Sequence, residues 1–173
     1  MIKKKRVQKE KYIKYKSLDQ LEDIEKKLFT IAFDKMENAY APYSNFHVGS
    51  TLLLEDGTIV SGSNQENASY GLSMCAERVA LFNAGANYPD IPVKKLVVVT
   101  KNYKKADKKN NTHENCILAP CGACRQVIME YENRFNSDIE IFLMDSKGSI
   151  YKFETVKQLL PFAFGGYFLN YNQ

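Results

Sequence analysis

Residues 120–126 read PCGACRQ and place the thiols of Cys121 and Cys124 three positions apart at the start of a helical pattern. Side chains three apart on a helix lie on the same side, so these two thiols can form half of a metal site. The same spacing also suits redox chemistry, a closed structural zinc site or an open catalytic zinc site. Residues elsewhere in the chain must decide between these uses.

A third thiol, Cys75, begins another predicted helix and precedes Glu77 by two positions. Residues two apart on a regular helix point about 200° away from each other, so Cys75 and Glu77 can face one metal only at the helix N-terminus. The positive end of the helix dipole also stabilises a thiolate there. Three cysteine ligands would leave a fourth tetrahedral position open, which is typical of a catalytic zinc site.

Two arginines are candidates to balance the charge of such a site. Three thiolates around Zn²⁺ leave a net charge of roughly −1, so a cation that donates to the sulfurs would restore electrophilicity. Arg78 follows Glu77, and Arg125 follows Cys124. A surface ion pair is the alternative role for each.

Length and composition predict one well-buried core, because the chain has 173 residues and is 45% hydrophobic. There is no run of 18 apolar residues, and the lysine-rich start lacks an apolar segment after it. We therefore expect neither a membrane span nor a secretory signal, and a cytoplasmic location. Four irregularly spaced cysteines favour thiolate chemistry over a disulfide framework.

The net charge of +4 is unevenly distributed. Residues 1–16 contain eight basic side chains and one acidic one, whereas the remainder has 16 basic against 19 acidic. A basic tail on a mildly acidic body argues against a nucleic-acid-binding domain, which carries its positive charge on the folded face. We therefore interpret residues 1–16 as a basic, solvated N-terminal extension and residues 17–173 as a single domain.

Apolar periodicity and turn signals predict nine elements in the order α-β-β-α-β-α-β-β-α. Capping-box patterns at residues 17–20 and 155–158 mark the starts of the first and last helices, Asp56-Gly57 marks a hairpin, and Gly85 marks a helix end. The predicted ranges are helices over about 18–38, 75–84 and 122–132, a final short helix ending near Pro161, and strands over about 46–54, 58–61, 95–100, 139–144 and 149–153.

Helices interleaved with about five strands predict an α/β fold, a three-layer α/β/α sandwich with a mixed five-stranded sheet. Residues 101–118 are rich in lysine and asparagine without an apolar period. We expect this segment to be a surface excursion.

Two longer stretches carry a specific resemblance: residues 73–85, SMCAERVALFNAG, and residues 120–131, PCGACRQVIMEY. They resemble the signature of the zinc-dependent cytidine deaminase superfamily, in the branch that has cysteine before the catalytic glutamate. Three further segments resemble the free-nucleoside cytidine deaminases, and the match spans about residues 25–165. The three segments are YAPYSNFHVGS at 40–50, NQENASYG at 64–71 and LLPFAF at 159–164.

The resemblance implies one Zn²⁺ per subunit held by Cys75, Cys121 and Cys124, with Glu77 as the proton shuttle. It implies hydrolytic deamination of cytidine and 2′-deoxycytidine to uridine and 2′-deoxyuridine plus ammonia by zinc-activated water, in pyrimidine salvage. The partner is then a small nucleoside rather than nucleic acid or a membrane.

The family pattern also assigns substrate contacts within a homotetramer that shares its active sites between subunits. The assigned residues are Asn64 and Glu66 for ribose hydroxyls, Phe46 for packing on the base, the Ala76 N–H for the pyrimidine carbonyl, and Tyr70 and Phe164 from neighbouring subunits. Ordinary core packing is the alternative for Phe46, and hydrogen bonding to loop backbone is the alternative for Asn64 and Glu66.

Three rival functions remain open from the sequence. Cys116 could supply a fourth ligand to a closed structural zinc site, in which case Glu77 would have no task. A base in RNA or DNA would suit the basic extension, and the blasticidin-type aminonucleoside deaminases share part of the pattern. His47 and His113 lack metal spacing to the cysteines.

Overall fold

The structure is a computed structural model and describes residues 12–100 and 117–169. Within these residues six strands form one sheet in the order β1-β6-β5-β4-β2-β3, in which only β4 and β5 pair in parallel. The strands are β1 (Ile13–Tyr15), β2 (Val48–Leu54), β3 (Ile59–Ser63), β4 (Val93–Thr100), β5 (Glu140–Met144) and β6 (Ile150–Phe153). The helices are α1 (Asp23–Met36), α2 (Ala76–Asn87) and α3 (Gly122–Phe135), with short 3-10 helices at Leu18–Gln20, Tyr70–Leu72, Val156–Gln158 and Gly166–Leu169.

Helices cover both faces of the sheet, as the sequence predicts. Buried side chains of α1, including Leu28 and Phe29, pack with Val97 and Phe142 on one face. On the other face α2 and α3 pack against a second buried cluster that includes Leu96. The three-layer α/β/α arrangement and the β2–β3 hairpin at Asp56-Gly57 are confirmed.

The sheet has six strands rather than the predicted five, because Ile13–Tyr15 pairs with β6 at the edge. The Tyr12 ring packs against those of Tyr151 and Phe153, with centroids 5.3 and 5.9 Å away, and Lys14 Nζ lies 4.9 Å from the centre of the Tyr151 ring. Because this stretch is rich in lysine, its sequence did not indicate the aromatic packing that holds it against the sheet. Residues 13–15 are therefore not part of a solvated extension, and the sheet begins before the predicted boundary at residue 17.

The first helix begins later than the capping-box pattern at residues 17–20 predicts. Ser17 makes no side-chain cap to the short helix that follows it. The capping box of α1 lies instead between Glu22 and Glu25, where the Glu22 N–H donates to the Glu25 carboxylate at 3.1 Å. Glu25 is buried and pairs with Lys95 of β4 at 2.8 Å, so this contact with the sheet fixes the start of the helix.

Gly85 does not end α2, which continues to Asn87. A Cβ atom at residue 85 would lie 2.3 Å from the Tyr131 hydroxyl of α3. Tyr131 in turn donates to the Leu81 carbonyl at 2.5 Å. Glycine at this position therefore leaves room for the Tyr131 hydroxyl rather than acting as a stop signal. The capping box at Thr155 is confirmed, although the element it starts is a 3-10 turn.

The start of α2 is held directly against the sheet. A Cβ atom at Gly62 of β3 would lie 2.6 Å from the Ala80 nitrogen and 2.9 Å from the Ala76 carbonyl oxygen. Only glycine allows the β3 backbone to approach the first turns of α2 so closely. This contact fixes the position of Cys75, the residue immediately before the helix.

Among the helices of the described ranges, none is both long enough and apolar enough to cross a bilayer.

Candidate active site

The N-termini of α2 and α3 bring three thiols together. Cys75 and Cys121 are the N-cap residues of the two helices, both with extended backbone, and Cys124 lies in the first turn of α3. Their sulfurs all lie within 4.8 Å of one another, with 3.8 Å between Cys75 and Cys121 and 3.4 Å between Cys121 and Cys124. The extended N-cap position is what allows Cys75 and the helical Glu77 to face one site.

This thiol cluster fits a zinc ion. Tetrahedral coordination with Zn–S bonds of about 2.3 Å separates neighbouring sulfurs by about 3.8 Å, close to the spacing observed. The dipoles of both helices favour thiolates at this point. Cys116 and His113 lie outside the described residues, and the half-buried His47 contributes its carbonyl oxygen to a 2.7 Å hydrogen bond from Thr100 Oγ1.

Arg78 contacts the cluster directly. Its Nη2 lies 3.6 Å from the Cys75 sulfur and 3.4 Å from the Ser73 carbonyl oxygen, to which it also donates. A hydrogen bond from Cys124 and the neighbouring Arg78 guanidinium lower the pKa of Cys75 to about 5. The same hydrogen bond, together with burial, raises the pKa of Cys124. The predicted contact between an arginine and a cysteine sulfur is therefore present for Arg78.

Arg125 does not make the contact with sulfur that its sequence position suggests. Its Nε donates to the Pro120 carbonyl and its Nη1 to the Leu159 carbonyl, each at 2.8 Å. Residue 125 is rotated by about 100° from Cys124 around the helix, so the two side chains leave the first turn in different directions. Arg125 instead ties the segment before α3 to the C-terminal part of the chain.

Glu77 lies beside the thiols and is 4% exposed. Burial raises the pKa of its carboxyl to about 7, and the nearby Cys75 adds to this effect. A carboxyl group with a pKa near neutrality can both accept and release a proton at physiological pH. Its position and environment suit proton transfer.

A pocket of about 240 Å³ opens onto Cys75, Glu77 and Cys121. Four other predicted residues line it, namely Phe46, Asn64, Glu66 and Ala76. Sequence reasoning missed five lining residues: Val48, Ser73, Met74, Leu118 and Ala119. Four of these residues lie just before Cys75 or the PCGAC stretch, so their proximity in sequence to the thiols could have identified them.

Asn64 fixes the backbone that carries Phe46. Its Oδ1 accepts from the Val48 N–H at 2.8 Å, and its Nδ2 donates to the Phe46 carbonyl at 2.9 Å. The side chain is 8% exposed. Asn64 therefore hydrogen-bonds to backbone, as the alternative interpretation holds, and lines the pocket as well.

Glu66 also combines both features. Its carboxylate accepts from the backbone N–H groups of Tyr43 at 2.9 Å and Ser44 at 3.2 Å, and from the Ser44 hydroxyl. The hydrogen bond from the hydroxyl, followed by those from the backbone, lowers the pKa of Glu66. An ionised carboxylate thus faces the pocket in a fixed orientation.

Ala76 is the first residue of α2 and is fully buried. The first N–H groups of a helix lack acceptors within the helix, so the Ala76 N–H is suited to bind a ligand oxygen.

Tyr70 and Phe164 do not line the pocket and are 74% and 56% exposed. The Tyr70 ring packs on that of Tyr43, and the Phe164 ring stacks on that of Phe168, with centroids 5.8 and 5.6 Å apart.

Comparisons of sequence and of structure with known proteins point to one family. Residues 22–135 match the family described as the cytidine and deoxycytidylate deaminase zinc-binding region. Cytidine deaminase of Halalkalibacterium halodurans is 43% identical over 77% of this chain and 88% of its own length. That of Sporosarcina psychrophila is 42% identical over 86% and 96%. The crystal structure of cytidine deaminase from Burkholderia pseudomallei superposes with a TM-score of 0.65 and 39% identity, covering 80% of this chain and 98% of that one.

Proposed function

Because this chain belongs to the zinc-dependent cytidine deaminase family, we propose that it hydrolyses cytidine and 2′-deoxycytidine to uridine and 2′-deoxyuridine, releasing ammonia. The observation that carries this proposal is the meeting of three thiols with a buried carboxylate at one pocket. The thiols are within 4.8 Å of one another, and Glu77 lines the pocket beside Cys75 and Cys121. Three ligands leave one coordination position for the reaction.

Cys75, Cys121 and Cys124 would hold the zinc ion. Bound Zn²⁺ supplies Lewis acidity, which lowers the pKa of a water molecule towards neutrality. The Glu77 carboxylate accepts a proton from the attacking water and delivers it to N3 of the ring. It then accepts the remaining proton of the hydroxyl group added to C4 and delivers it to the amino group, so that the C4–N bond breaks, ammonia leaves and the C4 carbonyl forms. The environment of Glu77 supports this role because a buried carboxyl with a pKa of about 7 exchanges protons readily.

The pocket walls supply contacts for the rest of the nucleoside. We assign the Ala76 N–H to the pyrimidine carbonyl and the Phe46 ring to the face of the base. Asn64 Nδ2 donates one of its two hydrogens to the Phe46 carbonyl, which leaves the second hydrogen to donate. The Glu66 carboxylate accepts three hydrogen bonds, and a carboxylate can accept about four. One donor and one acceptor therefore remain for a ribose hydroxyl. The 3′-hydroxyl is common to both proposed substrates.

The exposed aromatic surface supports assembly into a homotetramer whose subunits share active sites. Large apolar side chains exposed together commonly mark an interface. Those on the segments around the pocket and near the C-terminus are Tyr40, Tyr43, Tyr70, Leu72, Phe162, Phe164, Phe168 and Leu169. In this proposal Tyr70 and Phe164 reach the pocket of a neighbouring subunit.

We place the reaction in pyrimidine salvage in the cytoplasm, because it returns free nucleosides to the uridine pool and because its three thiols need a reducing compartment. We do not propose nucleic acid as a substrate.

Loss of ultraviolet absorbance on conversion of cytosine to uracil tests the proposal. The purified zinc-loaded chain should deaminate cytidine and 2′-deoxycytidine, whereas a cytidine-containing oligonucleotide should not react. Turnover of the oligonucleotide alone would establish a nucleic-acid deaminase instead. Absence of turnover with all three substrates, at one zinc per chain, would refute the proposed function.

A further inference from the structure

We propose that Ser44 is a positioning residue, whose hydroxyl holds the Glu66 carboxylate in the orientation needed to bind the ribose. This inference rests on the proposed function, because it concerns how the same pocket recognises a nucleoside. Ser44 itself does not line the pocket. It acts through Glu66, which does.

The hydroxyl of Ser44 makes two hydrogen bonds. It accepts from the Phe46 N–H at 3.0 Å and donates to Glu66 Oε1. Because Phe46 occupies an acceptor direction of Ser44 Oγ, the hydroxyl proton is directed towards the carboxylate. Ser44 therefore links the residue proposed to pack on the base with the residue proposed to bind the ribose.

The loop that carries Ser44 is docked firmly onto the segment that carries Glu66. The Tyr40 N–H donates to the Asn64 carbonyl at 3.0 Å, and the Glu66 N–H donates to the Tyr40 carbonyl at 2.8 Å. The chain then turns, with the Asn45 N–H donating to the Ala41 carbonyl at 3.0 Å and Asn45 at a φ of 54°. This left-handed residue, between Ser44 and Phe46, turns the backbone so that the serine hydroxyl meets the Phe46 N–H.

The two carboxylate oxygens are held by different groups. Glu66 Oε2 accepts from the backbone N–H groups of Tyr43 and Ser44, which any residue at position 44 other than proline would retain. Oε1 accepts from the Ser44 hydroxyl, which is a property of the side chain alone. Removing the hydroxyl therefore leaves the carboxylate held through Oε2 alone, so that its plane can tilt about that anchor. Ser44 is exposed and Glu66 is only partly buried, so the loss should affect substrate binding more than folding.

The test compares Ser44→Ala with the wild-type chain on cytidine and on 2′,3′-dideoxycytidine, which lacks the ribose hydroxyls that Glu66 would bind. With cytidine we expect KM to rise about tenfold, as for loss of one charge-assisted hydrogen bond, while kcat stays within about twofold. With 2′,3′-dideoxycytidine we expect KM to change by less than about twofold. Ser44→Thr, which keeps the hydroxyl, should restore the KM for cytidine.

Ser17→Ala is the matched control, because Ser17 also donates its hydroxyl to a carboxylate, that of the exposed Asp19 at 3.3 Å, outside the pocket. It should leave both KM values unchanged. Equal KM increases for the two substrates, or a KM for cytidine unchanged in Ser44→Ala, would overturn the positioning role. A wild-type chain inactive on both nucleosides would instead refute the proposed function, and the positioning role with it.

Discussion

The guanidinium of Arg78 lies 3.6 Å from the sulfur of Cys75, and its Nε is buried with no hydrogen-bond partner in residues 12–100 and 117–169. Burial of a polar nitrogen without a hydrogen-bond partner costs free energy. We attribute the buried position of Arg78 to the positive charge that it places beside the Cys75 thiolate. Arg125, by contrast, donates to two backbone carbonyls. The two arginines that follow the thiol motifs thus have different tasks.

Arg78→Ala should lower kcat about 10- to 100-fold, because the site loses the cation that offsets the charge of the three thiolates. The temperature of thermal unfolding of Arg78→Ala should change little by comparison. Arg125→Ala is the matched control and should lower the free energy of unfolding by about 1–3 kcal/mol through loss of two charged hydrogen bonds, with kcat retained in the folded fraction. Equal losses of activity and stability in Arg78→Ala would show that Arg78 has only a structural role.

Glu77→Gln should retain zinc and the fold while losing about 10²- to 10⁴-fold in kcat, since the amide cannot carry the proton between water, ring and leaving group. Glutamine has nearly the same size and suits a site that is 4% exposed. Zinc content by atomic absorption and turnover by ultraviolet absorbance measure the two properties separately. A variant with near-normal turnover would remove Glu77 from the mechanism.

Cys116→Ser should leave zinc content and activity unchanged, because the three thiols of Cys75, Cys121 and Cys124 already form a set within 4.8 Å. Cys121→Ser is the positive control and should lose zinc and activity together. Loss of zinc and of folding in Cys116→Ser would support the closed four-cysteine site and contradict the catalytic one.

Glu132→Gln should destabilise the fold by about 1–3 kcal/mol, because a buried charge-assisted network would be broken. The Glu132 carboxylate is 2% exposed and accepts from the Ile139 N–H at 3.0 Å, the Val156 N–H at 2.9 Å and the Thr155 hydroxyl at 2.8 Å. It thereby joins the end of α3 to the start of β5 and to the 3-10 helix Val156–Gln158. Denaturant unfolding measures the effect, and the exposed Glu130→Gln, in the same helix, should be neutral. An equal midpoint for both variants would contradict the role of Glu132.

The thiol site was predictable from sequence because its chemistry depends on residue type and on helix position. Cys75, Cys121 and Cys124 each occur at or next to a helix start, and a helix start is readable from local sequence. Arg125 was not predictable in the same way, since its partners include Leu159, which is distant in sequence. Contacts of that kind depend on how segments meet after folding.

The same distinction explains the errors in the fold. β1 was missed because Tyr12, the residue just before it, packs on Tyr151 and Phe153, which only the sheet brings close, while the local sequence is dominated by lysine. Gly85 was misread because its close contact is with Tyr131 of another helix. Periodicity predicted which segments are helices and strands, but not the partners that fix where each one ends.

Shared active sites can be tested by mixing two variants that are each impaired in a different residue of the site. Light scattering should give a mass four times that of the 19.8 kDa chain. Phe164→Ala, which removes a ring that is 56% exposed and outside the pocket of its own chain, should lower kcat/KM about tenfold through loss of apolar contact. When it is co-refolded with Glu77→Gln, a site with an intact Glu77 can receive Phe164 from the other variant. Random assembly of equal amounts should then restore activity to about a quarter of the sites. Activity no higher than the average of the two variants would show that each chain completes its own pocket.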